Sequence, residues 1–111
     1  AGLDPDVTAV EAYVPWFCDL SGRVKNDRLG GWFPEWVDGL GYFDTTNHAK
    51  RIKGKVTFYS GLGDYVCPPS GQVVLFHAIP TEKKWVVTQG KTHGFTMKNA
   101  KEYIVEAPAK N

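Results

Sequence analysis

A chain of 111 residues, 42% hydrophobic and 23% charged, holds enough apolar material for one core and too much for a disordered segment. Its 13 basic and 12 acidic residues leave a net charge of +1 with no basic block, which excludes an electrostatic nucleic-acid binder. No apolar run approaches the ~20 residues of a membrane span and no signal peptide is read, but the start AGLDPDV lacks an initiator Met, so the address is not readable from this end and a cytoplasmic one is only a weak expectation.

In chain order, VTAVEAYV (7–14) predicts a short β-branched strand that stops at Pro15, although Glu11 is an awkward occupant of a strand buried on both faces. The loop PWFCDLSGR that follows carries a heavy apolar load, and Gly at 22, 30, 31, 39 and 41 makes residues 22–41 mostly loop. A short helix is expected over Phe33–Leu40, with Pro34 tolerated in its first turn. FDTTNHAKRIKG predicts another: Asp44 or Thr45 caps its first amides, basic residues occupy its last turn, and Gly54 stops it. KVTFYSG is the second strand. Pro68 and Pro69 preset φ for a helix over Ser70–Ile79, with Val73, Val74, Phe76 and Ala78 as its apolar face and Pro80 as its stop. KKWVVTQG (83–90) is the third strand and KTHGF the loop after it. MKNAKEYIVEAPAK predicts a closing helix with Ala100, Tyr103, Ile104 and Ala107 on one side.

Alternation of strand and helix means parallel strands joined by crossovers, hence an α/β fold with a mostly parallel sheet of about three strands and flanking helices. The exits of parallel strands lie at one edge of the sheet, where such folds keep their functional groups. Two exits carry chemistry: Gly63-Asp64 after the second strand and His93-Gly94 after the third. An Asp that accepts from the Nδ1–H of a His fixes the ring's tautomer and stabilises its protonated form, leaving Nε2 to take a proton from a nucleophile. On an α/β-hydrolase sheet the order is nucleophile, acid, histidine, and the nucleophile sits on a G-x-S-x-G elbow. This chain has no such elbow; Ser21 is the only serine ahead of Asp64's strand, and it lacks the flanking glycines.

LDPDVTAVEAYVPWFCD, YFDTTNHAKRIKGKV, GLGDYVCPPS and HGF together resemble the C-terminal part of the acetyl xylan esterase and cephalosporin-C deacetylase family (carbohydrate esterase family seven). G-L-x-D-x-x-C-P-P-S is the specific element, and the resemblance covers nearly the whole chain. It implies the C-terminal portion of an α/β-hydrolase fold, with residues 1–111 as one partial domain, Asp64 as the triad acid and His93 as the triad base. It further implies a nucleophilic Ser and oxyanion donors on a preceding N-terminal half, acetylated oligosaccharides or small acetyl esters as substrates, homo-oligomer assembly, and no cofactor or metal. THGF stands where the family has G-H-E, and the excursion from Ser21 to Leu40 is shorter than the family's helical insertion. By the same reading this chain alone is inactive.

Blander readings stand beside these. Asp64 can be an ordinary turn residue and His93 an exposed loop residue; the chain can also be a non-catalytic interaction module, since strands cut from a larger sheet leave an unpaired edge. A hydrolase of another substrate branch is a further alternative, because fold does not set substrate. Cys67 beside His93 is expected to pack under its helix rather than attack as a thiol, and Cys18 and Cys67 are expected as two reduced thiols. His48 and His77 are expected on helix surfaces. Trp16, Phe17, Trp32, Phe33 and Trp36 are expected to be core rather than a sugar-stacking platform.

Overall fold

The computed structural model describes residues 1–20 and 35–111. Ser21, Trp32 and Phe33, and the start of the helix expected over Phe33–Leu40, lie outside the described residues. Four strands form one sheet in the order of the chain: β1 (Ala9–Tyr13), β2 (Lys55–Gly61), β3 (Lys83–Lys91) and β4 (Thr96–Ala107). β1, β2 and β3 run parallel, with Ala12 opposite Phe58 and Phe58 opposite Trp85. Among the described residues, the α-helices α1 (Thr45–Ala49) and α2 (Pro69–Ala78) flank the sheet, α2 as the crossover from β2 to β3.

Two expectations are corrected. Gly39 at φ 90 and Gly41 permit only a single 3-10 turn, Leu40–Phe43, and residues 35–39 are not helical. The closing segment 96–107 is the strand β4, antiparallel to β3, rather than a helix. Its i, i+3, i+4, i+7 apolar spacing coincides with the run Tyr103-Ile104-Val105, whose residue types pack well on a pleated surface. In the sheet Val105 lies opposite Trp85 and Ile104 opposite Val86, Lys84 pairs with Glu106 at 3.5 Å, and the Tyr103 hydroxyl donates to Gln89 Oε1 at 3.2 Å. Cross-strand pairs of this kind are the unit of sheet stability. The ladder is irregular at Gly90, which adopts φ 82, a left-handed conformation that favours glycine.

Side chains alternate across the sheet. Val56, Phe58, Trp85 and Val87 face the helices and are buried with Ala49, Ile52, Leu75, Phe76 and Ile79. Phe58 stacks on Trp85 at 5.5 Å, and Phe76 lies 6.3 Å and 6.2 Å from the two rings. The buried Trp85 Nε1–H is satisfied by Ser60 Oγ at 2.6 Å. Lys83 is also buried: its ammonium donates to Ile79 O at 2.7 Å, at the end of α2, and lies over the Phe76 ring, while desolvation pulls its pKa down. The opposite face carries Glu11, Tyr13, Lys55, Thr57, Tyr59 and Lys84, exposed or half-buried. No helix among the described residues covers it, and there Glu11 accepts the Tyr13 hydroxyl at 2.9 Å. No helix of the described residues is long and apolar enough to cross a membrane.

Candidate functional site

The carboxyl edge of β2 and β3 is held closed by backbone contacts. A Cβ on Gly61 would lie 2.3 Å from the Lys91 carbonyl oxygen, so only glycine lets the two strand ends approach this closely. Beyond it, Leu62 N–H donates to Thr88 O at 3.0 Å and Gly63 N–H to Lys91 O at 2.9 Å. Asp64 N–H closes a turn on Gly61 O at 3.2 Å. The carboxylate then folds the next turn around itself: Oδ1 accepts from Val66 N–H at 2.9 Å and Cys67 N–H at 2.8 Å. This Asx geometry feeds directly into α2, where Pro69 starts the helix and no side chain caps it.

His93 is presented differently. Thr92 N–H donates to Phe95 O at 2.8 Å and Phe95 N–H to Thr92 Oγ1 at 3.1 Å, closing a tight turn between β3 and β4 with His93 and Gly94 at its tip. The hairpin thus takes the place of the strand-to-helix exit expected here. Its ring Nδ1 lies 3.1 Å from Asp64 Oδ2. The Asp64 side chain is fully buried and that of His93 is 40% exposed. In a neutral ring whose Nδ1–H donates to this carboxylate, Nε2 would be the remaining acceptor. The two sequence-predicted residues therefore meet, with His93 Nδ1 toward the Asp64 carboxylate.

Cys67 belongs to the same cluster: its sulfur, an Asp64 oxygen and a His93 nitrogen all lie within 4.8 Å of one another. Burial, and then the Asp64 charge, push its thiol up to about 11, so at neutral pH it is an uncharged SH and a poor nucleophile. Cys18 is likewise a free, buried thiol, pushed up to about 12 by burial and then by the charge of Asp44.

Two further residues brace this edge: Gln72, which nothing in the sequence signalled, and Asp44, expected only as a helix cap. Gln72, buried in α2, donates from Nε2 to Cys67 O at 3.0 Å and to Pro15 O at 3.4 Å, tying the Asp64 turn to the loop after β1. Asp44 holds that loop: it accepts from Asp19 N–H at 3.0 Å, Leu20 N–H at 2.7 Å and, as the cap of α1, Thr46 N–H at 2.8 Å. The loop needs such anchoring, because Val14, Phe17 and Asp19 have φ of 45, 62 and 56, a region costing about 1–3 kcal/mol per non-glycine residue.

Other candidates fall elsewhere. Trp16 and Phe17 form a tilted ring pair at 4.6 Å at the carboxyl edge, and Trp16 and Trp36 are partly exposed rather than core. His48 donates from Nε2 to Tyr42 O at 2.6 Å on α1, and His77 is exposed on α2. A concavity of about 790 Å³ on the open face, beside Glu11, Thr57 and Lys84, is lined by neither Asp64 nor His93.

Comparison with known proteins bears on the family and the fold. The acetyl xylan esterase (AXE1) family model matches residues 34–107. The acetyl esterase Axe7A of Xylanibacter ruminicola is 35% identical over 106 residues, covering 86% of this chain and 24% of that protein. Acetyl xylan esterase 1 from Thermoanaerobacterium sp. JW/SL YS485 superposes with a TM-score of 0.69 at 29% identity, covering 88% of this chain and 36% of that one. An acetyl xylan esterase from Paenibacillus sp. R4 gives 0.70 at 24% identity, with 86% and 35% coverage, and speaks for the fold alone. The chain thus spans 24–36% of the length of these relatives.

Proposed function

From the premise that the chain belongs to the acetyl xylan esterase family, we propose that it is the C-terminal segment of a serine carbohydrate esterase, with Asp64 as the triad acid and His93 as the triad base. One observation carries the reading: the 3.1 Å contact between Asp64 Oδ2 and His93 Nδ1 at the carboxyl edge of the sheet. In this reading His93 Nε2 takes the proton of a serine hydroxyl as the oxygen attacks an acetyl carbonyl. Asp64, with Oδ1 fixed by two backbone amides, holds the ring in its tautomer and stabilises the imidazolium. His93 then returns the proton to the departing alcohol. In the second half it activates the water that releases acetate from the acetyl-enzyme.

The serine and the oxyanion donors belong, in this proposal, to residues preceding this segment in a longer protein. β1 stands at the edge of the sheet order with β2 as its sole partner among the described residues, a place for the next strand of a larger parallel sheet. Acetylated xylo-oligosaccharides are the favoured substrates, with small acetyl esters such as cephalosporin C in the same chemical class.

The test is p-nitrophenyl acetate hydrolysis by this chain alone and joined to the preceding half of the longer protein. Activity only in the joined form, and lost on His93→Ala, supports the reading. Activity that survives His93→Ala overturns it.

A further inference from the structure

The Asp64–His93 pair has a third neighbour that the esterase reading does not use. A thiol, a carboxylate oxygen and an imidazole nitrogen, from Cys67, Asp64 and His93, converge within 4.8 Å. We propose that these three side chains are a binding site for a soft divalent cation of the zinc class, and that the cation and ester hydrolysis exclude one another.

The donor set selects the ion. Calcium and magnesium need six or more oxygen ligands, whereas one thiolate, one imidazole and one carboxylate with an open fourth position is a zinc-type set. The fit requires one small movement. Ligand bonds of about 2.0–2.3 Å in a tetrahedron bring donor atoms to roughly 3.3–3.8 Å from each other, closer than the loosest pair here. Asp64 is clamped by the amides of Val66 and Cys67, and Cys67 is held by that same turn and by Gln72. His93, at the tip of a hairpin turn and the most exposed of the three, is the ligand free to close in, and its side gives the ion access.

Coordination rearranges protons without any redox change. The Cys67 thiol binds as thiolate and gives one proton to solvent. His93 binds through Nδ1, whose proton passes to Nε2, and Asp64 Oδ2 exchanges the imidazole for the metal. Nε2 then carries a hydrogen and has no lone pair with which to accept one from a serine. A neutral histidine ligated through Nδ1 cannot also be the base, so the cation acts as an off state. This inhibitory half rests on the esterase reading; the binding half does not.

Cadmium reports the site directly through its thiolate charge-transfer absorption. Titrating the purified chain with Cd²⁺ should give one equivalent of this band, displaceable by Zn²⁺. The band should persist in Cys18→Ala, vanish in Cys67→Ala and in Cys67→Ser, and require at least about tenfold more cadmium in His93→Ala. Far-ultraviolet circular dichroism establishes that each variant is folded. A band that survives both Cys67 variants, the absence of a band in the wild type, or an unchanged titration in His93→Ala overturns the site. In the complete enzyme, the ratio of p-nitrophenyl acetate turnover with and without Zn²⁺ should fall at least tenfold for the wild type and stay near one in Cys67→Ala. Cation binding that leaves turnover intact overturns the exclusion. Cation binding in a complete protein that never hydrolyses esters leaves the site standing and overturns the esterase reading.

Discussion

Asp44 and Asp64 begin from the same chemistry and end in different roles. Each is buried, each follows a loop that glycines allow to bend, each folds a turn around its own carboxylate ahead of a helix, and each lies beside a buried thiol. Asp44 uses both oxygens on backbone amides, those of Asp19, Leu20 and Thr46. Asp64 uses one oxygen on the amides of Val66 and Cys67 and turns the other to His93. A carboxylate saturated by main chain is a brace. One that keeps an oxygen for a titratable ring is a brace and, in the proposed esterase, the group that orients the base.

The largest effect expected from breaking this distinction is on turnover. Asp64→Asn keeps an oxygen for the amides of Val66 and Cys67 but turns a donor toward Nδ1, favouring the wrong tautomer. In the complete enzyme turnover should fall by about 10⁴-fold with little change in thermal midpoint, by analogy with such replacements in Ser-His-Asp triads. Near-normal acetate release would remove Asp64 from the chemistry. The mirror experiment is Asp44→Ala, which strips the amides of Leu20 and Thr46 of their acceptor and leaves Asp19 N–H only its longer bond to Thr46 Oγ1 at 3.2 Å. A lost cap costs about 0.5–2 kcal/mol and each stranded amide about 1–3, so roughly 3 kcal/mol of stability should disappear in urea unfolding. A loss below about 1 kcal/mol would show that water replaces the carboxylate and that the brace is dispensable.

The two carboxylates were unequally legible in the sequence. Asp64 stands at a strand exit punctuated by Gly61 and Gly63, and parallel strands bring exits together, so a meeting with His93 was open from the order of elements and favoured by the G-L-x-D-x-x-C-P-P-S resemblance. Asp44 was legible as a helix cap, yet its hold on Asp19 and Leu20 depends on a loop whose left-handed residues carry no glycine signature. The closing strand was misread because Ala100, Tyr103, Ile104 and Ala107 satisfy a helical period by coincidence. The contradiction was nevertheless present in the sequence. A closing helix packed on the sheet needs an apolar surface, whereas Glu11, Lys55, Thr57 and Lys84 alternate onto one face. Gln72 had no linear signal, since its reach depends on how one turn is folded, whereas Cys67, three residues past Asp64, was already legible as a neighbour of His93.

The thiols beside the two carboxylates sharpen the comparison further, with a smaller effect. Both pKa values are raised in the fold, Cys18 from 9.0 to about 12 and Cys67 from 9.0 to about 11, with burial as the first cause in each. Below pH 9 both states hold the thiol proton and the stabilisation is complete; above it the unfolded chain ionises first and stability drains away. Each thiol should contribute a decline of at most about 1.4 kcal/mol per pH unit, ending near pH 11 for Cys67 and pH 12 for Cys18. Cys18→Ala should flatten the upper part of that decline in urea midpoints measured from pH 8 upward. An unchanged slope would mean that the Cys18 thiol ionises as easily in the fold as outside it.

Gln72 joins the two regions, and its replacement should have the smallest effect. Gln72→Leu removes the Nε2 bonds to Cys67 O and Pro15 O, each worth about 0.5–1.5 kcal/mol net, the longer one least. It also removes Oε1, a buried acceptor with no donor among the described residues, whose desolvation opposes folding by about 1–3 kcal/mol. The two effects are of similar size and opposite sign, so the net change should be within about 1 kcal/mol. If the bridge only stabilises, turnover in the complete enzyme should be nearly unaffected. If instead it fixes the Asp64 turn in register with the loop held by Asp44, turnover should fall several-fold at unchanged stability, and Gln72→Glu, which has no amide to donate, should fall with it. The brace at Asp44 would then reach the chemistry at His93 through a single side chain.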